Sequence, residues 1–89
     1  MKKKIVLEGS GIADKKELFH VISIQINHPE FKAHNLDALH DALGDLKTEQ
    51  LELVIHDPDQ LKTGIGERYF KKLLQVFYDQ KIGIYLLKL

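Results

Sequence analysis

Three short apolar segments lie far apart in the chain, and their spacing constrains the fold more than any other feature. Residues 4–7, 51–55 and 82–87 are rich in Ile, Leu and Val, which predicts three β-strands. The stretches between them have helical patterns. Strands joined by helical crossovers favour a parallel sheet with right-handed connections. The last strand is almost entirely apolar, which predicts a sheet that is covered well enough to hide it.

Helix signals occupy the stretches between the strands. Asp14 followed by Glu17 resembles a capping box at the start of a helix over residues 15–26. Asn35 is a good N-cap for a helix from residue 36 to near residue 46. Pro58 can open a short helix over residues 58–62, and Gly64 and Gly66 then lead into a helix over residues 67–80. The core stripe of that last helix consists of Phe70, Leu73, Leu74 and Phe77.

The length and composition set the class of protein. A chain of 89 residues is long enough for one small domain, so we predict a single α/β domain over residues 1–89 with a three-stranded parallel sheet and three to four helices. The chain has no Cys, so disulfides are excluded. No apolar run approaches the roughly 20 residues of a membrane span, and the apolar run near the start is too short for a signal peptide. We expect a cytoplasmic protein with no membrane partner.

The charge balance hides an acidic segment. Thirteen Lys and Arg balance thirteen Asp and Glu, and this neutrality argues against direct, general nucleic-acid binding. Residues 35–59, however, carry seven acids against Lys47 alone, a net charge of −6. Such a segment is either a solvated surface or a surface for a basic partner.

The helix after Asn35 would place part of this charge on one face. Asp37, Asp41 and Asp45 recur every four residues, and the leucines of the segment fall on the opposite side with His40 on the flank. Like charges at this spacing destabilise a helix by a few tenths of a kcal/mol, about 0.2–0.5 per pair. The acids step along the axis by about 6 Å, which spreads them too far to converge on one metal ion. A row of cations on another macromolecule suits them better.

Other motifs are weaker. Gly9-Ser10-Gly11 follows a strand as a dinucleotide-binding loop would, but Asp14 stands where that motif needs its third glycine. A small nucleotide-binding protein is therefore an alternative function. The five His residues form no zinc pattern. We find no catalytic constellation and predict no catalytic, metal-binding or cofactor-binding residues, so the protein is not expected to be an enzyme.

Residues 29–43 read PEFKAHNLDALHDAL and resemble the signature of the barstar family, intracellular inhibitors of secreted, barnase-type ribonucleases. The run NLDAL followed by Asp41 is the most specific part, and LQVF at residues 74–77 is a second match. The resemblance implies a three-stranded parallel sheet packed with helices. It also implies a basic ribonuclease or related toxin as partner, and we expect the free chain to be a monomer.

The resemblance implies roles for individual residues. Asp41 matches the carboxylate that enters the ribonuclease active site, and Asp37 matches a second helix carboxylate at the interface. Phe31 matches an aromatic residue that packs on the catalytic His. Asp79 matches an acid that pairs with a basic group on the enzyme. The predicted partner-binding set is Phe31, Asn35, Leu36, Asp37, His40, Asp41, Asp45 and Asp79.

Four residues depart from the family pattern. His40 stands where the pattern has Trp or a variable residue, Lys32 replaces the second aromatic residue, and Ala33 replaces the usual Gly. His34 occupies a spacer position that is acidic in some relatives. These changes reduce aromatic area and add positive charge at the rim of the predicted interface. They predict a partner other than the standard ribonuclease, or a lower affinity for it. An interaction module for a non-ribonuclease partner is the alternative on the same fold.

Overall fold

All three predicted strands form, and they lie side by side in one parallel sheet with the second strand in the middle. The structure is a computed structural model that describes residues 3–27, 33–46 and 50–88. These residues form three strands and four α-helices, which confirms the predicted α/β fold. In chain order the elements are β1 (Lys3–Glu8), a 3-10 turn (Gly9–Gly11), α1 (Lys15–Ile26), α2 (Leu36–Gly44), β2 (Leu51–His56), α3 (Pro58–Ile65), α4 (Glu67–Asp79) and β3 (Gly83–Leu87).

The helices cover one face of the sheet. Ile5 pairs with Leu53, and Leu53 pairs with Ile84, so these three side chains share a face. On this face Ile5, Leu7, Leu53 and Ile55 are fully buried. The opposite face remains partly open, because Val6 and Val54 are half-buried and Tyr85 is exposed. The side chains that the four helices bury in the core are Leu18, Phe19, Ile22, Ile26, Leu39, Leu43, Leu61, Ile65, Phe70, Leu73 and Phe77.

Side-chain caps fix where the first two helices begin. The Asp14 carboxylate accepts a hydrogen bond from the Glu17 N–H at 2.8 Å, and Glu17 accepts one from the Ala13 N–H at 3.5 Å. Asn35 caps α2 in the same way as Asp14 caps α1. Both N-caps confirm the sequence prediction. Each supplies a partner for a backbone N–H that the helix itself leaves unpaired.

The two edges of the sheet differ. Along β1, the Gln25 side chain of α1 accepts a hydrogen bond from the Val6 N–H at 2.6 Å and donates one to the Val6 carbonyl. One side-chain amide thus occupies the backbone groups of Val6 in the middle of this edge, as a neighbouring strand would. Along β3, no strand pairs with the outer edge among the described residues.

The prediction that the last strand is hidden is wrong. The side chains of Tyr85, Leu86 and Leu87 are all exposed. The reason is strand order: β3 lies at an edge of the sheet, so no strand beyond it helps to bury the side chains of its second half. An apolar strand pattern does not state whether the strand is central or at an edge.

Smaller differences concern the helices. The short helix predicted over residues 58–62 continues to Ile65, so Gly64 lies inside α3 and does not lead into the next helix. A Cβ at Gly64 would lie 2.4 Å from the Ile12 carbonyl oxygen, so this glycine allows the backbone at Ile12 to pass close to α3. Leu74, predicted to be core, is only partly buried at the margin of the core.

Candidate functional site

Helix α2 separates apolar and acidic side chains onto opposite faces. Leu39 and Leu43 are completely buried in the core, where α2 packs against α4. Asp37 and Asp41 are exposed on the other side. Burial of the two leucines, each contributing about 1.5–3 kcal/mol, sets the rotation of the helix about its axis. The direction in which the carboxylates point is therefore determined by the core.

Asn35 sets the starting point of this helix. Its side-chain oxygen accepts a hydrogen bond from the Ala38 N–H at 2.7 Å, and its carbonyl accepts the first helical bond from the Leu39 N–H at 2.9 Å. Asn35 is exposed and Leu36 is half-buried against the core. Both residues thus lie at the positioned N-terminal end of α2, next to Asp37.

The third acid of the predicted row lies just beyond the helix. The prediction extended the helix to near residue 46, but α2 ends at Gly44 and Asp45 is its C-cap. The Asp45 N–H donates to the Ala42 and Leu43 carbonyls, so the chain tightens there into a 3-10-type turn. Asp45 is exposed at the negative end of the helix dipole, an unfavourable place for an acid. The acidic face, defined here as Asp37, Asp41 and Asp45, thus consists of two helical acids and one capping acid.

Nearby cations do not neutralise the acidic face within the described part of the chain. The ion pairs there join Asp59 to Lys62 and Lys88, and Glu67 to Lys71, and Glu8 is hydrogen-bonded to His56. None of them involves the three acids of the acidic face. Their negative charge is therefore available to a partner without first breaking an ion pair with one of these described basic residues.

His40 lies at the border between the core and the acidic face, where the helical spacing predicts it. It is half-buried, and its Nε2 lies 3.3 Å from the side-chain nitrogen of Gln80, just beyond α4. The same Gln80 nitrogen donates to the His40 carbonyl at 3.2 Å. Gln80 therefore joins the end of α4 to the middle of α2.

Asp79 is brought to this region by the same contact. It is the last residue of α4 and is exposed, and its carboxylate accepts a hydrogen bond from the Gln75 side chain at 2.7 Å. Its neighbour Gln80 touches α2, so the acid of α4 lies one residue from the junction of the two helices. This places a further carboxylate beside the junction of α4 with α2.

Gln80 is a residue that the sequence interpretation missed. It follows the last periodic position of α4, where an amide looks like an ordinary polar helix end. Its role depends on how α4 lies across α2, which no local pattern states. The remaining predicted residue, Phe31, lies outside the described residues, as does Lys32, whereas Ala33 beside them is buried.

The loop that suggested nucleotide binding has a structural explanation. A Cβ at Gly9 would lie 2.1 Å from the Asp57 carbonyl oxygen, so the glycine permits tight packing of the 3-10 turn on the end of β2. The N-terminus of α1, which would bind phosphate in such a motif, is capped by the Asp14 carboxylate. Neither feature favours a nucleotide site.

The described residues contain no group of three or more His, Asp or Glu side chains that could hold a metal ion. They also contain no helix that has both the length and the apolar character to cross a membrane.

The geometry can be compared with known families. A protein-family model described as Barstar (barnase inhibitor) matches residues 2–83, which include α2, α4 and all the predicted site residues. No curated protein matches the chain. The family match covers nearly the whole sequence and agrees with the sheet order and helices found in the structure. The chain belongs to the barstar family of barnase inhibitors.

Proposed function

We propose that this protein inhibits a basic ribonuclease, or a related toxin, by inserting the acidic face of α2 into the active-site cleft. The observation that carries the proposal is the exposed row of carboxylates in a member of an inhibitor family. The protein itself performs no chemistry. It acts by occupying the place of the substrate.

The chemistry of the target explains the choice of residue. A ribonuclease binds the phosphates of RNA with cationic side chains, so a carboxylate can take the place of a phosphate. Charge-assisted hydrogen bonds from Arg or Lys to a carboxylate are about twice as strong as neutral ones. In this proposal Asp41, at the centre of the acidic face, enters the phosphate site, and Asp37 and Asp45 bind cations on either side. Asp79 meets a basic group at the edge.

The fold holds these groups in place before binding. Leu39 and Leu43 anchor α2 in the core, Asn35 caps its start and Gln80 holds its middle through His40. A surface that is already ordered loses less conformational entropy when it binds. Such preorganisation supports an inhibitor that competes with a flexible RNA chain.

The acidic segment also favours rapid encounter. Residues 35–59 carry a net charge of −6 on a neutral molecule, which produces a local negative field. A field of this kind steers a basic partner and raises the association rate, and salt screens it. We therefore expect the association rate to fall as the salt concentration rises.

The direct test is inhibition of a purified barnase-type ribonuclease with an RNA substrate. Asp41→Ala should weaken inhibition at least about 30-fold, which corresponds to about 2 kcal/mol, the usual threshold for a dominant interface residue. Asp59→Ala is the matched control. It removes the same charge from the same acidic segment, but Asp59 lies on α3 beside Lys62 and Lys88. The mechanism is wrong if the two variants inhibit equally well.

The departures at His40, Lys32 and Ala33 favour a second candidate, a non-ribonuclease partner bound by the same face. Affinity capture from the source cells with the parent protein and the Asp41→Ala variant separates the two. A partner that is captured only by the parent and cleaves RNA supports inhibition of a ribonuclease. A partner that depends on Asp41 but has no ribonuclease activity supports the interaction module.

A further inference from the structure

The outer edge of β3 combines exposed apolar side chains with a lack of charge. Tyr85, Leu86 and Leu87 are 49%, 48% and 46% exposed, and residues 83–87 contain no charged side chain. The next residue, Lys88, is paired with Asp59 at 3.5 Å. Natural edge strands usually carry charges or a proline that discourage pairing with another strand. β3 has neither, so its edge is suited to accept a further strand.

The backbone of β3 shows which groups are available. The Leu87 carbonyl accepts a hydrogen bond from the Asp57 N–H at 2.9 Å, so the backbone groups of Leu87 point toward β2. Backbone groups of successive strand residues alternate in direction, and those of Ile84 and Leu86 therefore point away from the sheet. No hydrogen bond from a described residue outside the sheet reaches either of them. The edge offers two N–H donors and two carbonyl acceptors.

We propose that β3 pairs in antiparallel register with the β3 strand of a second copy of this chain, about a two-fold axis at Tyr85. This register places Ile84 of each copy opposite Leu86 of the other. In an antiparallel pair, two opposite residues whose backbone groups point toward each other exchange two N–H···O hydrogen bonds. Ile84 and Leu86 are the residues with outward groups, so four hydrogen bonds form and every outward group of both strands is used. A copy of β3 therefore fits the edge of β3 without any change in register.

The side chains also match in this register. Tyr85 lies opposite Tyr85 of the second copy at a position without backbone hydrogen bonds, where facing side chains are closest. Gly83 lies opposite Leu87. The Tyr85 ring lies alongside Gly83, because a Cβ added at Gly83 would be 3.5 Å from the Cε2 atom of Tyr85. The Leu87 side chain of the second copy thus meets the Tyr85 ring, and apolar groups cover apolar groups.

The flanking charges are of both signs. An open groove of about 680 Å³ runs beside the start of β3 and is lined by Tyr78, Asp79 and Lys81 together with residues 82–84. The register carries Lys88 of the second copy to Ile82, at this groove, where Asp79 has the opposite charge and Lys81 the same charge. Each copy has zero net charge, so two copies do not repel each other overall. This inference revises the sequence-based expectation of a monomer and does not depend on ribonuclease inhibition.

Sedimentation equilibrium of the full chain tests the proposal. Because one short strand buries a small area, we expect the mass to rise from one chain toward two between about 10 µM and 1 mM. Tyr85→Lys should keep the protein monomeric over this range, since it places two cations at the axis. Ile24→Lys is the matched control, because Ile24 is 61% exposed on α1, away from β3. This control should associate as the parent does.

Leu86→Pro tests the backbone contact separately. The Leu86 N–H points outward, so proline removes a donor to the second copy and no hydrogen bond to β2. In the parent protein, amide exchange at Ile84 and Leu86 should slow as the concentration rises, and exchange at Tyr85 and Leu87 should change little. A parent chain that stays monomeric to about 1 mM overturns the proposal. So does association that Tyr85→Lys and Leu86→Pro, both folded, leave unchanged.

Discussion

Helices α2 and α4 pack against each other, yet their outer faces differ in charge: α4 carries both signs and α2 carries acids alone. On α4, Glu67 and Lys71 stand four residues apart with opposite signs, and the Lys71 Nζ lies 4.0 Å from a Glu67 oxygen. On α2, Asp37 and Asp41 have the same spacing and the same sign. The inner faces do not differ in this way, since both bury apolar side chains in one core.

The difference separates the requirements of stability from those of binding. Opposite charges four residues apart stabilise a helix slightly, and like charges destabilise it by a similar amount. α4 combines one stabilising pair with a like-charged pair, Arg68 and Lys72, whereas the exposed charges of α2 are all acidic and include no stabilising pair. Local stability rules that a surface does not satisfy are typical of functional surfaces. The inner face of α2 should therefore behave as a structural element and its outer face as a binding element.

The largest expected change in the free energy of unfolding concerns the buried leucines on the inner faces of α2 and α4. Leu39→Ala in α2 and Leu73→Ala in α4 should each lower the free energy of unfolding by about 2–5 kcal/mol, because both side chains are fully buried. Denaturant unfolding followed by circular dichroism measures this loss. A loss below about 1 kcal/mol for Leu39→Ala alone would mean that α2 is not anchored as the structure describes.

The second-largest expected effect concerns the N-cap of α2. Asn35→Ala should lower the free energy of unfolding by about 1 kcal/mol, since it removes the side-chain cap at the Ala38 N–H. The N-cap of α4 is Gly66, which has no side chain to accept a hydrogen bond, so α4 has no equivalent site. Asn35→Asp is the matched control, because Asp caps as well as Asn and should preserve stability. Equal losses for both variants would contradict a capping role.

Reversal of one charge tests the comparison directly. Asp41→Lys removes like-charge contacts with Asp37 and Asp45 and creates attractive ones, so it should raise the free energy of unfolding by about 0.5 kcal/mol at low salt. The same variant should abolish inhibition of the ribonuclease. Unfolding at low and at high salt distinguishes this electrostatic gain from a packing effect, since salt should remove it. A loss of stability would show that Asp41 supports the fold.

The smallest effect is expected on α4. Lys71→Gln removes the exposed partner of Glu67 and should change the free energy of unfolding by at most about 0.5 kcal/mol. It should leave ribonuclease inhibition unchanged, because Lys71 lies outside the proposed binding set. A large loss of inhibition would mean that the binding surface extends along α4.

Local chemistry explains what could be predicted from the sequence. Asp14 and Asn35 mark the helix starts because capping involves residues that are three apart in the chain. The acidic face follows from helical spacing. The leucines on the opposite side of the helix must be buried in the core, so the acids point to solvent. These features depend on near neighbours, which a sequence displays directly.

What could not be predicted depends on partners distant in the chain. Gln80 contacts His40, forty residues earlier, and only the packing angle of α4 on α2 creates that contact. The exposure of Leu86 depends on strand order, which the apolar pattern of β3 does not contain. The missed end of α2 at Gly44 has a third cause, because the final turn tightens where a regular helix would continue.

The amide of Gln25 on β1 has a consequence for the stoichiometry of any assembly. Because this one side chain uses the Val6 donor and acceptor, a further strand could not pair along the middle of β1 without displacing it. Two molecules that meet through β3 would have this obstructed edge at both outer ends. Association would then be finite and stop at a pair, whereas a sheet with two open edges could continue into a filament. Loss of this single amide, as in Gln25→Ala, would make an unlimited polymer geometrically accessible.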